Sequence, residues 1–599
     1  MANARIKSWQ DEMSRGLKRS REDDLFEEFG LSTEVPSSPA SSRSSSRRRI
    51  RRKRSKRADL SSAEVELTQR FNKLKYLGQT ESYRALDREL RHAEPCSTFR
   101  AWVEDNPGLF SDIDFAQWTM VEANSVVELN HLERFSRDYP LPPEADTPAL
   151  AAAISYVAEL LKLDEQIPFP SREDLDDVRF IGSKFPGVEY AWRGYKDRSG
   201  AHSEALDDAR AAWDQLLAGE RVEPHYNRIG GRGKMVTRKK IKEQGDKTTA
   251  GRLIFMTSHR DLLLNGVLEQ RLTNAYKDPH FPISVGKTWW HGGTEEFLAR
   301  FGGRDMYSCF DAAKYDSSLP PWLIKVAVNI LRQQFVDGGD PVYDAYWRFI
   351  EDGLIYAPVY LDNGMLFQRS GGSTSGHSFN TLMQSICTLI IAYTCYLTLE
   401  GHENVERVAR EVWCESLGDD QHTGASGLCA RWKIEDTAPI AMRIFGVDWS
   451  GDKSFNTRRL VDDREGDFQG TQYLGKFFRW FDEDVEGVPI QANLPYRPFV
   501  ETALRLYYPE RGEQGILPAW QRAIGHYADG AGNTRTRAML EAYLDWLEPQ
   551  VGEGEFVWSE KWLRRFERAG EEFQAPVPPR RIGFSAWLAL VITDRDPFS

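Results

Sequence analysis

Val412-Trp413-Cys414-Glu415-Ser416-Leu417-Gly418-Asp419-Asp420-Gln421-His422-Thr423 reads as a strand, a glycine with two acids, and the start of a second strand. That order predicts a tight hairpin carrying carboxylates at its tip. Upstream, Met306-Tyr307-Ser308-Cys309-Phe310 reads as another short strand, ending at Asp311, with Asp316 on the turn into a helix. Leu323, Val326, Ala327, Ile330 and Leu331 recur at helical spacing, with Ser318 as a cap and Pro320 and Pro321 tolerated in the first turn. Asp311 and Asp419 are distant in the chain, so only a fold that sets their strands side by side makes one carboxylate cluster. A mixed α+β fold with acids at strand ends is the expectation. A Gly-Asp-Asp triplet alone recurs by chance in roughly one chain in ten of this length, so the weight rests on the ordered set around it.

The chain of 599 residues is long enough for about four compact units. Its 41% hydrophobic and 12% aromatic content is globular and implies extensive buried surface. The formal charge of −12 conceals an asymmetry: Arg43–Arg57 holds ten basic residues and no acid, leaving −22 for the rest. Residues 1–59 form a Ser/Arg-rich tail whose middle is too poor in apolar residues to offset ordering entropy, so that stretch is expected to be disordered. An acidic body with a basic tail points to a polyanion or an acidic protein surface as partner. Cys96, Cys309, Cys387, Cys395, Cys414 and Cys429 show no zinc-ligand spacing, which predicts free thiols in a reducing compartment. The N-terminus lacks an apolar segment, which argues against a secretory signal. The apolar stretch Ile386 to Leu399 reads as a core helix rather than a membrane span.

Arg228 to Arg252 is glycine-rich and basic, read here as a mobile cationic loop, and the strand-like Leu253-Ile254-Phe255 follows. Between the acidic motifs, Arg369 to Thr381 is a Gly/Ser loop running into an apolar helix. Such a loop offers backbone N–H groups and small hydroxyls where a nucleotide and a template backbone come close. From about Pro489 the pattern is helical; Met539, Leu540, Tyr543, Leu544 and Leu547 line one face and Pro549 is expected to end the helix. His377 and His422 have no spaced partner and are read as packed histidines rather than ligands. Carboxylates on adjacent strands suit two hard divalent cations bridging a phosphate, the arrangement that serves nucleotidyl transfer.

In order, GRLIF (Gly251 to Phe255), FDAAKYD (Phe310 to Asp316), GGSTSGHSFN (Gly371 to Asn380), LGDD (Leu417 to Asp420), GDKS (Gly451 to Ser454) and QYLGKFF (Gln472 to Phe478) resemble the F, A, B, C, D and E motifs of viral RNA-dependent RNA polymerases. The similarity is closest to polymerases of partitivirus-like and picobirnavirus-like double-stranded RNA viruses. The resemblance implies a right hand: a fingers region with an N-terminal extension at 60–305, a palm at 306–478 with a fingers insertion near 336–370, and a helical thumb at 479–599. It implies that Asp311, Asp419 and Asp420 bind two Mg2+ ions, with Mn2+ as the alternative, and that Asp316 senses the ribose 2′-OH. Lys453 would stand by the leaving pyrophosphate as a general acid. Arg252 with Lys247 or Lys239 would neutralise the triphosphate, and Ser375 and Gly376 would line the loop holding template and nucleotide. Two registers fit that loop. With Ser375-Gly376 as the family's S-G pair, the position usually filled by Asp or Asn is Gln384; with Asn380-Thr381 as the N-T pair, the S-G position slides onto Gly371-Gly372. Ser375-Gly376 is preferred, with Asn380 as the ribose-side amide.

The expected activity is RNA-dependent RNA synthesis on a viral, double-stranded genome, with RNA, nucleoside triphosphates and, through the basic tail, a capsid protein as partners, and with no membrane. The expected setting is the virion and the host cytoplasm. The rivals are a reverse transcriptase or other palm polymerase, and a non-catalytic RNA-binding or nucleocapsid protein. The latter leaves the ordered acidic motifs unexplained.

Overall fold

The computed structural model describes residues 61–551, apart from 450, 452, 453, 467, 511 and 512, and residues 581–593. Lys453 and the basic tract Arg43–Arg57 lie outside the described residues. The chain divides into two compact units, Met1–Arg70 and Phe71–Ser599. In the first, the helix Ser62–Arg70 opens on a reciprocal cap in which the Ser61 N–H donates to Glu64 Oε2 at 2.8 Å and the Glu64 N–H donates to Ser61 Oγ at 3.4 Å.

The second unit is mixed α+β. Its central sheet has four antiparallel strands in the spatial order Val412–Leu417, Asp420–Ala425, Met306–Phe310, Phe455–Thr457. One face of this sheet packs on the helix Asn380–Glu400, which also contacts the helices Thr147–Leu160 and Pro321–Arg332. This core helix is apolar enough by composition to span a membrane, but it is buried inside the protein, as its reading as a core element requires. A five-stranded sheet orders Lys75–Gln79, Met365–Gln368, Val359–Tyr360, Asn227–Arg232 and Arg252–Met256. All six cysteines are free and buried.

Four local expectations are corrected. The basic stretch after Arg228 is ordered as the strands Asn227–Arg232 and Lys234–Thr237 and the helix Arg238–Gln244. Gly231 and Gly233 are packing sites, since a Cβ on Gly233 would stand 2.7 Å from the Val121 carbonyl and one on Gly231 2.8 Å from Glu128. Ser318 closes a short helix, Tyr315–Ser318, that carries Asp316, and Pro320 is the residue that leads into Pro321–Arg332. The helical region begins at Phe499 rather than Pro489, because Phe477–Val485 and Val488–Tyr496 form a long hairpin. Its turn, Glu486-Gly487, holds both residues at positive φ, the signature of a tight primed turn. Last, the helix Thr534–Val551 runs past Pro549; a proline in the final turn removes only one hydrogen bond near an end that frays anyway.

The C-terminal helices do not make their core alone. Phe99, Trp102 and Phe110 share one buried cluster with Phe499, Trp520, Tyr543 and Trp587. Residues far apart in the chain therefore build this core, a pairing that helical periodicity cannot reveal.

Candidate active site

Strand register brings the acids together. Leu417 pairs with Asp420, which leaves Gly418-Asp419 as a two-residue turn with Gly418 at φ +66° in its first central position, where glycine is favoured. Gln421 pairs with Phe310, so the next step outward sets Asp420 opposite Asp311. Asp311 and Asp420 line one cavity of about 1440 Å³ together with Arg252, Lys234 and Lys240. Asp419 stands at the hairpin tip beside them.

The backbone of Asp311 is fixed by a residue from the edge strand's approach. Its N–H donates to Ser454 Oγ at 2.9 Å, and that hydroxyl reaches the Asp311 carbonyl at 3.3 Å. Gly451 passes so close that a Cβ would meet the same carbonyl at 2.8 Å. Asp419 is open to solvent, yet the protein packed around the tip thins the water near its carboxyl. That desolvation, then the charges of Asp420 and Asp316, hold its pKa up at about 7. Crowded carboxylates of this kind are relieved by a bound cation.

Among the described residues no three Asp, Glu, His or Cys side chains are gathered tightly enough to hold an ion unaided. The donors offered are hard carboxylate oxygens that face a cavity roomy enough for water and phosphate. This set fits Mg2+, which keeps several waters and shares its shell with substrate.

Asp316 is half-buried, and the desolvation of its carboxyl raises its pKa, while the Gln384 amide and the charges of Arg252 and Arg369 oppose the rise. Gln384 Nε2 donates both to Asp316 Oδ1 and to Ser373 Oγ. The amide that meets Asp316 is thus Gln384. Asn380, preferred for that role from sequence, is buried at the start of the core helix with its Oδ1 unpartnered. The two share a helix face one turn apart, and it is the later one that is level with Asp316.

Ser375 and Gly376 seat against the strand Arg252–Met256. The Phe255 N–H donates to Ser375 Oγ at 3.3 Å, Thr257 Oγ1 donates to the Gly376 carbonyl at 3.1 Å, and a Cβ on Gly376 would stand 1.8 Å from the Phe255 carbonyl oxygen. Arg369, almost fully buried, braces this loop. It donates to the Ser373 carbonyl at 3.0 Å and lies over the rings of Phe255 and Phe135 at 4.5 and 5.0 Å.

Two predicted cations are not brought to the cavity lining. Lys239 is exposed and pairs with Glu243 at 3.8 Å, and Lys247 is exposed on a short turn; Lys234 and Lys240 line the cavity instead. Successive helix positions turn by about 100°, so Lys239 and Lys240 leave the helix Arg238–Gln244 in different directions.

His377 and His422 are core residues. His422 is fully buried among Phe297, Phe301, Tyr307 and Tyr473, neither ring nitrogen has a partner, and burial drives its pKa down to about 3. The unfolded chain, with the ordinary value of 6.5, takes up this proton first. Stability is therefore whole above pH 6.5 and falls as pH drops toward 3, by about 1.4 kcal/mol per pH unit from this residue. His422→Leu is expected to lose about 2 kcal/mol less than the native chain between pH 7 and pH 5 in urea melts. Equal losses would place the proton elsewhere.

Residues 150–452 match the family model described as viral RNA-dependent RNA polymerase. The chain is 25% identical over 338 residues to the genome polyprotein of pea seed-borne mosaic virus (strain DPD1), covering 48% of this chain and 10% of that protein. It is 27% identical over 225 residues to that of plum pox potyvirus (strain El amar), covering 37% and 14%. Over 150 residues it is 28% identical to that of turnip mosaic virus (strain Japanese), covering 24% and 5%. The matches thus span a small part of the length of these polyproteins.

Proposed function

The chain belongs to the viral RNA-dependent RNA polymerase family, and from that premise we propose that it performs template-directed RNA synthesis by two-metal nucleotidyl transfer. The observation that carries this reading is the register that sets Asp311 opposite Asp420, one residue from the Asp419 tip, over a cavity shared with Arg252.

Asp311, Asp419 and Asp420 would hold two Mg2+ ions, or Mn2+ in their place, which supply charge neutralisation at the attacking and leaving oxygens. The 3′-hydroxyl of the growing strand gives its proton to water as it attacks the α-phosphate, a new P–O bond forms, the bond from the α-phosphorus to the α–β bridging oxygen breaks and pyrophosphate leaves. Asp316, oriented by Gln384, accepts from the ribose hydroxyl. Arg252, with Lys234 and Lys240, balances the triphosphate charge. Lys453, by the motif resemblance, would be the proton donor to pyrophosphate. Ser375 and Gly376 hold the template and nucleotide side of the loop.

In right-hand terms the central sheet belongs to the palm at 306–478 with its insertion near 336–370. Residues 60–305 are the fingers and extension, and 479–599 the thumb, whose core takes in Phe99, Trp102 and Phe110. The double-stranded genome rests on the motif resemblance to partitivirus-like and picobirnavirus-like polymerases; the three genome polyproteins lend it no support. The basic tract Arg43–Arg57 would tether RNA or a capsid surface inside a particle, a contact that weakens steeply with salt.

The test is the full chain with an RNA template, ribonucleotides and Mg2+. Template-complementary RNA is the expected product. RNA binding without synthesis would favour a nucleocapsid role, and a preference for deoxynucleotides a reverse transcriptase. Use of a duplex template separates the double-stranded reading from the single-stranded one.

A further inference from the structure

Thr381, Ser385 and Thr388 lie at i, i+4 and i+7 of the core helix, so three hydroxyls share one face. Two of them grip the acidic hairpin. Ser385 Oγ donates to the Thr381 carbonyl at 2.7 Å and accepts the Gly418 N–H at 2.8 Å, while Thr388 Oγ1 donates to the Gly418 carbonyl at 2.8 Å. Both backbone polar groups of Gly418 are thus taken by one helix. Ser385 and Thr388 are fully buried.

The Tyr315 hydroxyl lies 2.6 Å from Thr388 Oγ1. The Gly418 carbonyl can only accept, so the single Thr388 proton goes to it, and the Tyr315 O–H, which also lies 3.3 Å from the Gln384 carbonyl, donates to the nearer Thr388 oxygen. The relay therefore runs from Tyr315 through Thr388 to Gly418. Its ends are the residues just before Asp316 and just before Asp419. The intervening side chain of the helix, Gln384, holds Asp316 itself.

We propose that Tyr315, Ser385 and Thr388 are positioning residues, whose hydroxyls set the Asp419 carboxylate against the Asp311–Asp316 segment and thereby set both cation affinity and ribose placement. This rests on the polymerase reading. A purely structural role would cost stability alone, because buried hydroxyls need partners wherever they stand.

The experiment uses the full chain with Thr388→Val, Thr388→Ser and Tyr315→Phe. Mn2+ binding is followed by electron paramagnetic resonance, alongside the Mg2+ concentration for half-maximal RNA synthesis, kcat, KM and Tm. Thr388→Val is expected to weaken Mn2+ binding and raise the Mg2+ requirement by roughly tenfold, the scale of one lost buried hydrogen bond. Thr388→Ser restores both to within about threefold, since the donor is kept. Tyr315→Phe, which deletes one atom and covers the case in which Thr388→Val does not fold, shifts both in the same direction by roughly threefold and lowers ribo- over deoxyribonucleotide selection. Lower Tm with unchanged Mn2+ affinity and Mg2+ requirement would overturn the proposal. A native chain that makes no RNA defeats the polymerase reading instead, and the Mn2+ affinities still decide the relay.

Discussion

Asp419→Asn is expected to cut RNA synthesis by roughly a thousandfold or more while the protein stays folded. The amide keeps the shape of the side chain but removes a full charge from a site whose proposed task is to hold cations. Charge stabilisation by such cations is worth several kcal/mol, and each 1.36 kcal/mol is about tenfold in rate. Asp419 is exposed at the hairpin tip, outside the strand pairing, so Tm should be unchanged or slightly higher as crowding among Asp419, Asp420 and Asp316 is relieved. Single-turnover extension of a primed template measures the rate, and a melting curve checks the fold. Activity within about tenfold of native would mean that the hairpin carboxylate is not in the chemistry.

The second large effect is expected at Gly376. Its missing side chain lets the Gly/Ser loop lie against the strand Arg252–Met256, and an added methyl would stand 1.8 Å from the Phe255 carbonyl oxygen. Backbone cannot step aside as a flexible side chain can. Gly376→Ala should push the loop away, loosening the Ser375 and Thr257 contacts and displacing Arg252 on the same strand. Misplacement on the order of 1 Å costs about a hundredfold in rate, and overpacking typically costs about 1–3 kcal/mol of stability. The readout is kcat/KM for the incoming nucleotide, with the loss falling on KM as well as kcat. A variant with native kinetics would detach the loop from nucleotide placement.

The parts of the fold that were legible in the sequence are those fixed by local pattern. The strands ending at Phe310 and Leu417 and the hairpin between Leu417 and Asp420 follow from short strand-like runs and from a glycine before paired acids. The core helix followed from a long apolar run. What escaped was set by partners distant in the chain. Gln384 rather than Asn380 meets Asp316 because the two share a face one turn apart, and the height of the helix against the Asp311–Asp316 segment, set by packing, is left open by sequence spacing. Thr381, Ser385 and Thr388 were visible as polar residues in an apolar helix, and their i, i+4, i+7 spacing was the available signal. The glycines after Arg228 suggested mobility, but Gly231 and Gly233 serve close approach to Glu128 and Val121. The strand Val488–Tyr496 was hidden because its pairing with Phe477–Val485 depends on a turn at Glu486-Gly487 that apolar periodicity does not mark.

The central claim is that acids from two separate strands hold the same cations. The most direct measurement is Mn2+ binding to the native chain, Asp311→Asn, Asp419→Asn and the double variant, read as a double-mutant cycle. A shared site predicts that each single change removes most of the high-affinity binding and that the double change is little worse than either. Native affinity in either single variant, or losses that simply add, would show that positions 311 and 419 do not grip a common ion.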